Sequence, residues 1–335
     1  MPKKHLIIVS LIVSLLFISL LWQVAEPQVY AVAEVVRAKV FGKPFNQIYI
    51  QDKNGIPMQW YSNGDKEYNP LFIASEAQEL NIERKLGGNP QRFIQLTDWL
   101  IKNTVVNDSV AYMYYHFSYP KYKQEAPWIS ALTQSVGMNA FADRAAMDRN
   151  IETLSIAEKL LYSLKPNVTG VSVALSDSSI WFMEYPHEKP YFALSGMMST
   201  LLELNKYYHS TGNPFAKELF DKGYRALIEK LPEYDYHGYS YYDLAGTKAG
   251  RGYHQRHIKK LSNLLEIKPH NTLLYYRNRW QRSDSYPVLW QMLFNPRPLR
   301  ITAFFLSFLA LAVFVYLLLA WTQRKGKNDL EHNSF

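Results

Sequence analysis

The chain has 335 residues, with 37 Lys and Arg against 29 Asp and Glu, a formal net charge of +8 and no cysteine. The lack of cysteine excludes disulfides, thiolate zinc sites, thiol catalysis and thiol redox control. The length allows one large domain or two small ones with ample core, and the basic excess suits an anionic partner without specifying one.

Two apolar runs mark the ends. Leu6 to Trp22 is almost entirely Leu, Ile, Val and Phe, and Ile301 to Trp321 carries no charge. Each approaches the ~20 residues a membrane-spanning helix needs. Lys3 and Lys4 ahead of the first run put the N-terminus on the cytoplasmic side, and a second span returns the chain there. Residues 6–22 are read as an N-terminal transmembrane helix, 301–321 as a C-terminal one, and 322–335 as a cytoplasmic tail. A cleaved signal peptide is the competing reading of the first run, since Ala31-Val32-Ala33 fits a small-x-small site. That site lies far downstream, so the run is taken as retained. The body then lies outside the inner (plasma) membrane, and a cysteine-free exported domain of this size fits a bacterial periplasm or an archaeal exterior.

Residues 23–69 form a connector and a small β appendage. Val24 to Val40 is a mixed helical or extended segment, and Phe45 to Tyr61 alternates apolar and polar around the turn signal Asp52-Lys53-Asn54-Gly55, which predicts a hairpin. From Pro70 the period becomes helical. Helices are predicted over 71–86, 90–102, 128–147, 151–164, 191–208, 214–231, 254–267 and 271–282. Gly87-Gly88-Asn89, Lys165-Pro166-Asn167 and Ser210-Thr211-Gly212-Asn213 supply stops and caps. Short aromatic strand-like pieces fall at 112–119, 171–184 and 239–244. The expectation is a mainly α protein: an incomplete (α/α) toroid of helical hairpins over 70–299, with short β-strands and the N-terminal β appendage, flanked by the two transmembrane helices.

Tyrosine is abundant, at 25 residues. The clusters at 112–122 and 234–242 suit a carbohydrate groove, where rings pack on sugar C–H faces and phenols bind hydroxyls. Tyr241-Tyr242-Asp243-Leu244 and Arg251-Gly252-Tyr253-His254-Gln255-Arg256-His257-Ile258 gather phenols, imidazoles and guanidinium groups. Tyr253 and His254 fall at a predicted helix start, which favours an anion. Glu184 follows Trp181-Phe182-Met183 and precedes Tyr185-Pro186, so desolvation there raises its pKa, although a capping or salt-bridged Glu reads the same way. Gln134 and Asn139 are expected to face the groove, while Asp143 and Arg144 pair on the helix surface. His254 and His257 lack a third ligand, and hydrogen-bonded histidines are the commoner outcome, so no metal site is assigned. No phosphate loop, Ser-His-Asp order or nucleic-acid motif is present.

Three ordered segments resemble the C-terminal domain of the D-glucuronyl C5-epimerases. They are Pro127-Trp128-Ile129-Ser130 running to Gln134, Trp181-Phe182-Met183-Glu184-Tyr185-Pro186 leading to Leu194-Ser195-Gly196-Met197, and Tyr242-Asp243-Leu244 followed by Tyr253-His254-x-x-His257-Ile258. The resemblance covers about residues 120 to 285 and implies the same helical toroid. It implies acid/base work for Glu184 and Tyr253, with Tyr185 and Tyr242 lining the same pocket. Trp128, Gln134, Asn139, His254, His257 and Arg251 are then expected to bind substrate. No cofactor is implied. The implied partner is an anionic, glycosaminoglycan-like polysaccharide of the heparosan type, with no nucleic acid, and a homodimer is compatible. The chain departs from the pattern at Met183, where the family has a first Glu, and at Ala245, where vertebrate members carry a basic residue. Lys248 or Arg251 are candidates to replace that cation. Two other readings stay open: a polysaccharide lyase sharing the C5 proton abstraction, and a non-catalytic glycan-binding or assembly protein.

Overall fold

The computed structural model describes residues 2–44 and 47–332, with backbone alone from 326 onward. Phe45 and Asn46, at the start of the predicted hairpin, and 333–335 of the predicted tail lie outside the described residues. In chain order the first elements are α1 (Lys3–Phe41), β1 (Ile48–Gln51), β2 (Pro57–Trp60), β3 (Lys66–Glu67), α2 (Pro70–Lys85) and α3 (Gln91–Lys102). Then come β4 (Thr104–Val106), β5 (Ala111–Met113), α4 (Ala131–Asp148), α5 (Ile151–Tyr162), β6 (Ser172–Ser176) and β7 (Ser179–Phe182). They are followed by α6 (Leu194–Thr211), α7 (Pro214–Lys230), β8 (Asp235–Tyr236), β9 (Tyr239–Ser240) and α8 (Arg251–Ile267). The chain closes with α9 (Asn271–Asp284), α10 (Val288–Phe294) and α11 (Pro298–His332). The protein is mainly helical, with short strands between the helices.

Two compact units divide the chain: residues 43–282, and residues 1–42 with 283–335. In the second of these, α1 and α11 are each long and apolar enough to cross a membrane. The expected break after Trp22 is absent. α1 runs unbroken through Pro27 and ends at Gly42, whose φ of 68° is the left-handed conformation that suits glycine. Trp22 meets Phe304 edge-on at 5.2 Å. Nearby, Glu26 Oε1 and Arg300 Nε form an ion pair at 3.0 Å with both side chains 6% exposed, and Arg300 also donates to Gln291 Oε1 at 3.0 Å.

The unit 43–282 begins with an antiparallel sheet ordered β1-β2-β3, in the register Ile48↔Trp60 and Ile50↔Met58. Asp52 Oδ1 closes its first turn by accepting from the N–H groups of Asn54 and Ile56 at 2.8 and 2.7 Å. Asparagine caps then start the helices: Asn69 before Pro70, Asn150 before Ile151 and Asn213 before Pro214 each accept a first-turn N–H. α4 is buried on nearly all sides and packs against α2, α5 and α6, while α6 packs in turn against α7 and α8. This chained pairing is consistent with an open toroid of helical hairpins. One hydrophobic core runs from Ile56 and Ile73 through Phe141, Trp181 and Leu201 to Leu261 and Trp280.

Three predicted helix starts shift for local reasons. α4 opens at Ala131 rather than Trp128, because Trp128 is held extended by backbone pairing with Tyr115. α6 opens at Leu194 rather than Tyr191, because Phe192 has φ of 51° and Tyr191 O accepts from Leu244 N–H. α8 opens at Arg251 rather than His254, after Gly250 in an extended conformation.

Candidate active site

β7 is buried along its whole length and delivers Glu184 to the middle of the unit. Met183 fixes the exit of the strand: its N–H donates to Val171 O at 2.7 Å and its carbonyl accepts from Ala131 N–H at 3.0 Å. Glu184 therefore emerges where α4 and α6 both begin. It rests against Gly196 in the first turn of α6, so closely that a Cβ built on Gly196 would lie 2.6 Å from Glu184 Cβ and Oε2. That turn has no side-chain cap; its Leu194 N–H donates to Tyr242 O at 2.9 Å, and the Gly196 N–H favours the Glu184 carboxylate.

Two phenols hold the carboxylate. Tyr185 donates to Glu184 Oε1 at 2.9 Å, Tyr242 donates to the same oxygen at 3.2 Å, and the two hydroxyls stand 3.3 Å apart. Taken as a whole residue Glu184 is half-buried, yet its Oε2 is sealed from solvent without a well-formed hydrogen bond. Burial pushes its pKa up, against the opposing pull of Tyr185, Lys260 and Tyr242. Burial also drives the Tyr185 and Tyr242 hydroxyls well above the usual phenol range, and Glu184 adds to both shifts. In all three groups the shift is toward tighter proton binding.

Tyr253 stands at the open side. It is 41% exposed, its ring meets Tyr242 edge-on at 4.8 Å, and the Arg256 guanidinium lies 5.1 Å from its ring centre. Burial raises its pKa, Glu184 raises it further, and Arg256 opposes. Behind this group Tyr122 stacks on Tyr185 at 4.0 Å and 6°, with its hydroxyl donating to Asp243 Oδ2 at 3.0 Å. Asp243 is fully buried and its other oxygen accepts the Thr247 N–H at 3.1 Å. The Tyr-Asp-Leu motif thus places one phenol on Glu184 and uses the next side chain to anchor a second aromatic layer.

The predicted residues divide. Glu184, Tyr185, Tyr242 and Tyr253 come together. Trp128 stands beside them, its ring 6.1 Å from Tyr185, stacked on Tyr115 at 4.0 Å and donating to Phe117 O at 2.8 Å. Gln134 and Asn139 do not face the groove. Gln134 is buried and committed to Met113 N–H, Ala111 O and Ser163 Oγ, and Asn139 to Ser135 O and to the carbonyl and carboxylate of Glu203. The cause is that α4 is enclosed all round, so its polar side chains serve neighbouring backbone. His254 and His257 lie buried behind Tyr253, both with Nδ1 on Ser240 Oγ at 2.9 and 2.8 Å. Ser240 N–H also donates to His254 Nδ1, which places the proton of His254 on Nε2 facing Trp280 O at 3.3 Å. Arg251 opens α8, and Lys248 is pinned on the Tyr236 hydroxyl at 2.6 Å. Asp143 and Arg144 do not pair with each other: Asp143 takes Lys85 at 2.9 Å, and Arg144 takes Asp98 at 2.8 Å and Asp148.

One residue escapes the motifs. Lys260 follows Tyr253 by seven positions, two turns on the same face of α8. Its Nζ donates to Ser195 Oγ at 2.7 Å and Ser195 O at 3.1 Å, on the very turn that seats Glu184. Burial lowers its pKa to about 8, with Glu184 pulling it up and Arg256 down.

A carboxylate clamped by tyrosines, with a further phenol and an ammonium at hand, is an arrangement able to do acid/base chemistry. Residues 107–282 match the family described as D-glucuronyl C5-epimerase C-terminus, just over half of the sequence, and the chain belongs to that family. It is similar to an uncharacterized protein of Methanocaldococcus jannaschii, 24% identical over 308 residues, covering 84% of this chain and 99% of that protein. It is also similar to the D-glucuronyl C5-epimerase of Caenorhabditis elegans, 26% identical over 229 residues, covering 60% of this chain but only 37% of that protein. Among solved structures, that of PssZ from Listeria monocytogenes covers 75% of this chain and 88% of its own, at 11% identity and a TM-score of 0.35, too weak a likeness to carry an argument.

Proposed function

We propose that this protein is a membrane-anchored C5-epimerase of uronic acid residues, of the glucuronate-to-iduronate type, acting without a cofactor on an exported polysaccharide. Membership of the epimerase family supports the reaction class, and the two long apolar helices support the anchoring. The reaction removes a proton from a carbon beside a carboxylate, where little acidity is available, and returns one from the opposite face. Glu184 is the base: as a desolvated carboxylate it binds a proton more strongly than in water. Tyr253, a neutral phenol on the open side, returns the proton. Tyr185 and Tyr242 each spend their one hydroxyl proton on Glu184 Oε1 and so hold the base in place. The observation that carries this reading is the convergence of Glu184, Tyr185, Tyr242 and Tyr253 from sequence positions up to seventy apart.

The test is solvent exchange. Incubating the full chain with a glucuronate polymer in deuterated water should place deuterium at C5 of the inverted sugar, read by NMR. Ultraviolet-absorbing unsaturated ends would instead point to a lyase. Absence of both on every uronate chain tried would leave a glycan-binding role.

A further inference from the structure

We infer that Lys260 is the residue that grips the substrate's C5 carboxylate, and so decides that the sugar accepted is a uronate; this rests on the epimerase reading above. Its ammonium has three donor positions, of which the structure uses two, both on the neutral oxygens of Ser195. Among the described residues Lys260 forms no ion pair. Holding a desolvated ammonium against neutral acceptors is unfavourable unless an anion completes the site. Burial accordingly weakens its hold on the proton; Glu184 and Glu203 offset this only in part, and Arg256 adds to it.

Position points the same way. Ser195 and Gly196 are neighbours in the first turn of α6, one held by Lys260 and the other packed on Glu184. From α8, Lys260 shares a face with Tyr253. The ammonium is thus placed with the two groups assigned to proton transfer. The other cations near the cluster are differently engaged: Arg256 lies over the Tyr253 ring, Lys248 is bound to Tyr236, and exposed Lys121 sits 5.0 and 5.8 Å above the Tyr122 and Tyr242 rings at the outer edge. Lys260 therefore takes the part that the sequence left to Lys248 or Arg251. When the C5 proton passes to Glu184, its electron pair moves into the C5–C6 bond and onto the carboxylate oxygens, whose charge grows from −1 to −2. A protonated Lys260 beside that carboxylate strengthens its hold as the charge grows.

Calorimetry separates this role from a structural one. The full chain in detergent is titrated with a glucuronate-containing hexasaccharide of heparosan type and with its carboxyl-reduced counterpart. Wild type should prefer the carboxylated chain by at least about tenfold. Lys260→Gln keeps donors for Ser195 but loses the charge, and should bind both chains alike; Lys260→Arg should keep most of the preference. If Lys260→Gln discriminates as well as wild type, the assignment is wrong while the epimerase reading stands. If wild type binds neither chain, the uronate reading fails and takes this assignment with it.

Discussion

A carboxylate that the fold desolvates is a liability to stability as well as an aid to proton abstraction. Burial raises the pKa of Glu184 above its ordinary 4.5, so between those values the folded state binds more protons than the unfolded one, and stability falls as pH rises through that window. Glu184→Gln should therefore melt higher than wild type at pH 7, and the gain should shrink to nothing below about pH 4.5. The same variant, and Tyr253→Phe, should lower epimerisation by ~10²-fold or more, as for lost general acid/base groups. Normal turnover in both variants would remove the proton-transfer assignment. The pH profile carries a second signature. Activity should rise as Glu184 ionises, above the usual carboxylate range, and fall as Lys260 loses its proton near about 8. Lys260→Arg should move the alkaline limb upward, since a guanidinium stays charged. Glu184 and the three tyrosines were legible in the sequence because each sits in a short contiguous motif. Lys260 was not: beside Lys259 it reads as half of a solvated lysine pair, and only the packing of α8 on α6 turns it inward.

Among the helices, the 3.6-residue period and the asparagine and glycine punctuation made nearly every one legible. Their starts were not, where a tertiary bond overrode the period, as at Trp128 and Tyr191. Nor was the pairing of faces, so Gln134 and Asn139 read as groove-facing when α4 is enclosed. Two glycines test how elements meet. At Gly196 a methyl group would press on Glu184 Cβ and Oε2 at 2.6 Å, so Gly196→Ala should cost more than tenfold in turnover, by displacing the base. At Gly223, in α7, it would meet Phe182 Cε2 at 2.6 Å and Leu201 Cδ2 at 2.7 Å, inside the core. Gly223→Ala should cost ~1–3 kcal/mol of stability by overpacking, with turnover per folded molecule unchanged. Chemical denaturation and a turnover assay on each variant separate the two cases, and equal losses in both quantities for both variants would contradict this division. In the other unit, Arg300→Met takes the guanidinium away from the buried Glu26 carboxylate and should lower stability by more than ~1 kcal/mol, read as earlier thermal unfolding of the full chain in detergent.

At the scale of the molecule, the proposed topology puts both termini in the cytoplasm and residues 43–282 outside. A reporter fused at the C-terminus should be active only on the cytoplasmic side; activity confined to the exterior would reverse the orientation. The division of the chain has a further consequence. The unit that carries Glu184 is one unbroken segment, while the unit that carries α1 and α11 is made of both chain ends. In the proposed topology residues 43–282 are therefore moored at two points, and shedding them should take two cuts. With cleavage sites engineered at residues 42–44 and at 285–287, either cut alone should leave the epimerase unit in the membrane pellet, and both together should release it. Removal of a leader after Ala33 would not free it either, since α11 alone still moors it.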